Sequence, residues 1–334
     1  MMEKMMLNLN SLATMLFTCD LHAYKDAVLT FDEWINVEKN LKVHVLSGPG
    51  CLFGLNADEL MDILDISEYT SYKIVQRMKT MNVFLKHIYE YEQKGIRIIT
   101  KYDEEYPQIL VKKMKKNAPT CLFVVGNLPV EFEGISLTGL QTVTKKEKGC
   151  IKRLVDKINN ENKWLISNDC KGVDQEAFQY ALHHHGHIIS FLCEKMEDKA
   201  MEYKRYIRSG NLVLLSAIDP IKRFTVTHAI DRNSYVCGLS KFQVVVSSKI
   251  NSGATWFTIM HNMHHNWTIS LVIDNDCFGN QRLLEMKTTP LYVKNIVSDM
   301  SFEMIYNENK KEEVEEEINI DQMSIFEFIG DANG

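Results

Sequence analysis

The 334-residue sequence has eight cysteines but no C-x-x-C pair: Cys19, Cys51, Cys121, Cys150, Cys170, Cys193, Cys237 and Cys277 are scattered along it. That spacing argues against a disulfide framework or a structural zinc site and suits reduced thiols in the cytoplasm. Long apolar runs are lacking too. No stretch approaches the roughly 20 residues needed to span a bilayer, and Asn8, Asn10 and Ser11 interrupt the opening apolar stretch, so neither a membrane span nor a secretory signal is expected. Nor is there an excess of basic charge. The formal net charge is -6, but from Glu308 onward nine acidic residues face two basic ones, which leaves 36 basic and 35 acidic residues in positions 1–307. A near-neutral body neither supports a strongly basic nucleic-acid binder nor excludes one, because a local groove can supply the phosphate contacts. No internal repeat is visible.

What is present suits a globular chain. An apolar content of 45% can fill a sizeable core, and the length favours two domains plus appendages. Residues 1–92 read as a small helical module: Ala57–Leu64 and Tyr69–Tyr91 carry apolar residues at three- and four-residue spacing, with a turn at Ser47-Gly48-Pro49-Gly50 before them. A connector follows, with strands at 95–100 and 121–125 around the basic cluster Lys112, Lys113, Lys115 and Lys116.

From Gly134 short apolar runs alternate with helical stretches. Strands are predicted at 135–138, 164–167, 187–193, 212–216, 242–247 and 268–273, and helices at 146–159, 173–184, 201–208, 230–239 and 255–263. This alternation implies an α/β fold with a mostly parallel, Rossmann-like sheet covered by helices on both faces, spanning residues 93–297. Residues 298–334 are expected to form an acidic tail too charged to bury.

In an open α/β sheet, ligands bind beyond the carboxyl ends of the strands. The loops predicted there contain Gly139 and Gln141; Ser167, Lys171, Gly172 and Asp174; and Ser252, Gly253 and Thr255. Glycines admit close backbone approach, and helix starts favour anions such as phosphate. Each loop alone reads as ordinary turn and cap chemistry. Recurrence on three loops favours a phosphate-type site.

The same segments carry a family resemblance. Asp103-Glu104-Glu105-Tyr106-Pro107 followed by Pro119, Leu122 and Gly126 is similar to the D-x-x-Y-P and P-x-x-L-x-x-x-G of the DNA-processing protein A (DprA) family. Ser167 to Asp174 resembles its SGLAxGID, Arg232-Asn233-Ser234 with Gly238-Leu239-Ser240 its RNRxxxGLS, and Val244-Val245-Val246 with Ser252-Gly253-Ala254-Thr255 its VVVEA and SGxxxTA. Order and spacing hold over residues 95–275. Departures cluster at the rim. Gly139-Leu140-Gln141 stands where the family has G-S-R, Ser234 replaces the second arginine of RNR, and Ser247-Ser248 replaces a glutamate. Two bidentate phosphate forks are thereby lost, and lysines 145, 146, 171, 241 and 249 with Arg232 are the cations left to replace them.

The resemblance implies a non-catalytic accessory protein that binds single-stranded DNA during DNA processing and recombination, with Arg232 and Asn233 added to the rim residues. It also implies a RecA-type recombinase, a cognate toxin and a second copy of the chain as candidate partners. A rival reading is an antitoxin or phage-defence subunit that senses a nucleotide-like ligand or serves as a protein-interaction module and has lost DNA binding. An enzyme cleaving a nucleotide's glycosidic bond is the weakest, since Asp174 lacks a second carboxylate beside it. In the tail, Gln322-Met323-Ser324-Ile325-Phe326 resembles the pentapeptide by which replication proteins dock on the sliding clamp, against the alternative of a terminal segment folding back on the core.

No cofactor and no metal are expected. The histidines at 183–185, 187, 261, 264 and 265 lie near predicted helix ends, where polar caps are ordinary. Tyr235 and Phe224 are better base-stacking candidates than Trp164, Trp256 and Trp267, which sit in or beside core elements.

Overall fold

The computed structural model describes residues 8–21, 27–44 and 46–310. The expected clamp-docking peptide, Gln322 to Phe326, lies outside the described residues. The chain divides into two compact units, one comprising Met1–Val130, Cys193–Glu202 and Leu214–Arg223, the other Glu131–Leu192, Tyr203–Val213 and Phe224–Gly334.

The first unit opens with five helices, α1 (Leu9–Thr18), α2 (Phe31–Val43), α3 (Ala57–Leu64), α4 (Glu68–Lys79) and α5 (Met81–Gln93). Capping boxes start α2 and α3, through Thr30 with Glu33 and Asn56 with Glu59. Phe17, Trp34, Ile74 and Phe84 fill the core, and the buried Arg77 donates to the carbonyls of Leu16 and Cys19 at the end of α1. Next come β1 (Arg97–Thr100), α6 (Gln108–Met114) and β2 (Cys121–Val125). β1 pairs antiparallel with β2, and Phe123–Val125 pair antiparallel with residues 214–216. These pairings carry the first unit past residue 92. The D-x-x-Y-P segment is structural here: Asp103 accepts from Thr100 N and Ser11 Oγ, and Tyr106 donates to Pro119 O.

The second unit holds β3 (Gly134–Thr138), α7 (Lys145–Asn160), β4 (Trp164–Ser167), α8 (Val173–His183) and β5 (His187–Leu192). After α9 (Met196–Glu202) of the first unit come α10 (Lys204–Arg208) and β6 (Leu212–Ser216), which starts in the second unit and ends in the first. The second unit continues with α11 (Val226–Leu239), β7 (Ser240–Val245), α12 (Gly253–His265), β8 (Ile269–Ile273), α13 (Phe278–Glu285), β9 (Thr289–Leu291), α14 (Val293–Ile296) and α15 (Phe302–Asn309).

Its parallel strands run β5-β4-β3-β7-β8-β9. Both α8 and α11 lie against β3, β4 and β5, with α7 beside α8 and α12 beside α11. Strand residues are buried almost without break, as a parallel sheet covered on both faces requires. Trp256, Ile259, Val272 and Leu283 close the core between α12, α13 and their strands. The α/β, Rossmann-like expectation is met.

Several elements differ from expectation. The helix read across Tyr69–Tyr91 breaks at Thr80, whose hydroxyl donates to the carbonyls of Gln76 and Arg77 and so competes with the backbone ladder. The helix read over 201–208 is two helices, α9 ending at Glu202 and α10 starting at Lys204. All of α15 falls in the stretch expected as tail. Phe302 and Ile305 are buried there, with Phe302 stacked on Phe242 at 6.2 Å, because two apolar residues three apart suffice to dock one short helical face. Among the described residues, no helix is long and apolar enough to cross a membrane.

Candidate nucleic-acid interface

The chain enters the parallel sheet at β3, adds β4 and β5 on one side, then returns to place β7 on the other side of β3. The loops after β3 and β7 therefore diverge and leave a crevice at the strands' carboxyl ends, the usual ligand position in such sheets. Here it is a cleft of about 360 Å³. Its wall comes from Thr138–Thr142 after β3; Asn168, Cys170, Lys171 and Asp174 after β4; Lys249 and Ser252–Thr255 after β7; and Asn233 and Thr258 from α11 and α12.

Two glycines make this convergence possible. Gly172 has φ +96°, and a Cβ there would fall 2.2 Å from Leu140 O. At Gly139 a Cβ would meet Val173 Cγ2 at 2.4 Å. The loops after β3 and β4 are thus in backbone contact, closed by Val173 N donating to Leu140 O at 3.3 Å. Thr255 Oγ1 donates to Gly139 O at 2.8 Å and ties the start of α12 to the same loop.

Asp174 organises the loop after β4. Its carboxylate accepts from Ser167 Oγ (2.9 Å), Asn168 N (3.1 Å) and Cys170 N (3.0 Å). Burial pushes its pKa up to about 6, against the pull of those three donors. The carboxylate fixes a turn, as expected of a residue at a helix start. Asn168 Nδ2 donates to Asn233 Oδ1, and Asn233 Nδ2 donates to Thr258 Oγ1, so an amide chain links the loop to α11 and α12.

Of the residues singled out from sequence, Gly139, Gln141, Lys171, Asp174, Asn233, Ser252, Gly253 and Thr255 line the cleft. Ser167 and Gly172 lie behind the wall as supports. Arg232 is also behind it: only 7% exposed, it directs its guanidinium to Cys170 Sγ at 3.0 Å and Asn233 Oδ1 at 3.1 Å. Sequence reasoning missed Thr142 and Thr258. Thr258 follows Thr255 by three residues, so helical spacing on α12 could have found it.

Lys171 and Lys249 are exposed and have no acidic partner among the described residues. The N-termini of α8 and α12 open beside them, adding the positive ends of two helix dipoles. The wall combines cations, amides and hydroxyls around one buried carboxylate, so donors and positive charge are available there for an anion. Among the described residues, no group of three His, Cys, Asp or Glu side chains could hold a metal ion. His183 and His184 instead bond with carbonyls in the last turn of α8.

A search of curated proteins returns no match. Among solved structures, DNA processing protein A from Streptococcus pneumoniae aligns with a TM-score of 0.63 at 18% identity, covering 82% of this chain and 94% of that one. DNA processing protein A from Helicobacter pylori, described for its single-stranded DNA binding mode, aligns with a TM-score of 0.51 at 17% identity over 60% of this chain and 92% of that one. At such identities these likenesses speak for the fold. The sequence model for DNA recombination-mediator protein A matches residues 97–301, more than half of the sequence. The chain belongs to the DNA recombination-mediator protein A (DprA) family.

Proposed function

We propose that the chain is a non-catalytic accessory protein of DNA processing and recombination that holds the sugar-phosphate backbone of single-stranded DNA in this cleft. The observation that carries the reading is the convergence of Lys171, Lys249 and two helix N-termini on one crevice at the strands' carboxyl ends. Together they supply the charge that the rim's missing arginines leave absent. Arg232 acts indirectly, by holding Asn233 and the loop after β4. Asp174 is the one carboxylate among the described lining residues, and its oxygens are engaged by the loop, so nothing in the wall pairs an acid with a base.

The test is fluorescence anisotropy of a labelled single-stranded oligonucleotide, with a duplex control, across a salt series. Binding that prefers the single strand is expected. Lys171→Ala and Lys249→Ala should each weaken it and flatten the plot of log affinity against log salt by about 0.7. Unchanged affinity in both variants would remove the cleft from the interface.

The cleft's volume favours a second reading. About 360 Å³ lies at the small end of the range for discrete ligand pockets, as a sensor of a nucleotide-like signal in an antitoxin or phage-defence subunit would need. Saturable heat on titration with a mononucleotide, without oligonucleotide binding, would select it.

A further inference from the structure

Resting on the single-strand reading, we infer that Phe278 is a stacking platform for a nucleobase of the bound strand, held on a rigid shelf beside the cleft. Phe278 opens α13 and is 83% exposed, the most exposed large apolar side chain among the described residues. Lone exposed apolar residues are common. This one is unusual because the backbone on both sides of it is locked in place. Cys277 Sγ donates to Ser248 O at 2.9 Å and accepts from Ser248 N at 3.3 Å. On the other side, a Cβ at Gly279 would fall 2.2 Å from the same Ser248 carbonyl, so the first turn of α13 is pressed against the loop after β7.

Buried amides complete the lock. Ser248 Oγ donates to Asn280 Oδ1, while Asn280 Nδ2 donates to Val246 O and Ile273 O. Asn275 Nδ2 adds a bond to Val246 O at 2.9 Å. The backbone that carries Phe278 is therefore fixed, through its two neighbours, against Ser248, the residue that precedes Lys249 of the cleft wall, and Ile250, 45% exposed, follows Lys249.

A cation and an aromatic ring on one rigid support are what a single strand requires: the cation meets a phosphate, and the ring meets the face of the adjoining base. The charges around Phe278 favour the base over the backbone. Asp274 and Asp276 are exposed on the loop before it and repel phosphate, whereas the exposed Lys249, next in sequence to Ser248, attracts it. Phe278 and Ile250 are two exposed apolar side chains, short of the contiguous apolar centre of a protein interface. Tyr235, the stacking candidate in α11, packs on Phe191 with ring centroids 5.3 Å apart.

The full chain would be titrated with single-stranded and duplex oligonucleotides, with the fluorescent base analogue aminopurine placed at successive positions of the single strand. Phe278→Ala should weaken single-strand binding by about 5- to 150-fold, the range measured for loss of one base–aromatic stack. It should also abolish aminopurine quenching at one position, leave duplex affinity unchanged and leave the salt slope unchanged. Phe278→Trp should restore both affinity and quenching. Wild-type affinity and quenching in Phe278→Ala would overturn the shelf while leaving the cleft reading intact. An affinity loss that tracks a dimer-to-monomer change in sedimentation would assign the ring to a second copy instead and overturn it equally. If the wild-type chain binds no single strand, the cleft reading fails and the shelf fails with it.

Discussion

Gly172 bears a geometric demand that no other residue type meets. Its φ of +96° lies where side chains are strained, and an added Cβ would sit 2.2 Å from Leu140 O. Gly172→Ala should therefore destabilise the second unit by about 3 kcal/mol or more, read from the urea midpoint, and should separate the loops after β3 and β4, so that cleft binding falls as well. A wild-type midpoint would show that the two loops are not in contact. This part of the site was legible in the sequence, because glycine, serine and threonine at predicted strand ends announce tight loops. Arg232 was not. An arginine in a helix reads as a surface cation, and only its partners Cys170 and Asn233 reveal a buried bracket.

Elements were legible where pattern and burial coincide. β2, β4, β6 and α3 fall where alternation and apolar spacing put them. β9 was invisible: three residues containing Pro290 carry no alternation, and the segment becomes a strand only by pairing with β8. α15 was hidden by composition, since an acidic stretch follows directly. Its docking is nonetheless specific. Phe302 N donates to Glu161 Oε1 at 3.2 Å, and Asn309 Nδ2 bonds Pro290 O and Asn295 Oδ1. Phe302→Ala should cost about 3–5 kcal/mol, the usual price of emptying a buried phenylalanine site. A loss below about 1 kcal/mol in thermal or urea unfolding would mean that α15 does not pack on the sheet.

At the scale of the molecule, a near-neutral body concealed how charge is distributed. At the amino ends of the strands Lys163 and Lys241 are paired with Glu133, and Lys241 also with Glu303. Lys171 and Lys249 at the carboxyl ends have no such partners among the described residues, so a balanced total coexists with a basic rim. Titration is balanced in the same hidden way. Asp174 rises by burial from 3.8 to about 6, so its contribution to stability is complete below pH 3.8 and is lost as pH climbs through 6. His261 falls from 6.5 to about 4 through burial and the neighbouring His265 and His264. Its contribution is complete above pH 6.5 and is lost as pH drops through 4. Between about pH 4 and 6 the two slopes oppose each other, and removing either group exposes the other. Relative to wild type, the stability of His261→Gln should decline as pH rises across that window, and that of Asp174→Asn should increase. Urea denaturation at half-unit pH steps reads both differences directly. Parallel curves for all three proteins would mean that neither group is buried in the way the packing around the cleft and the end of α12 requires.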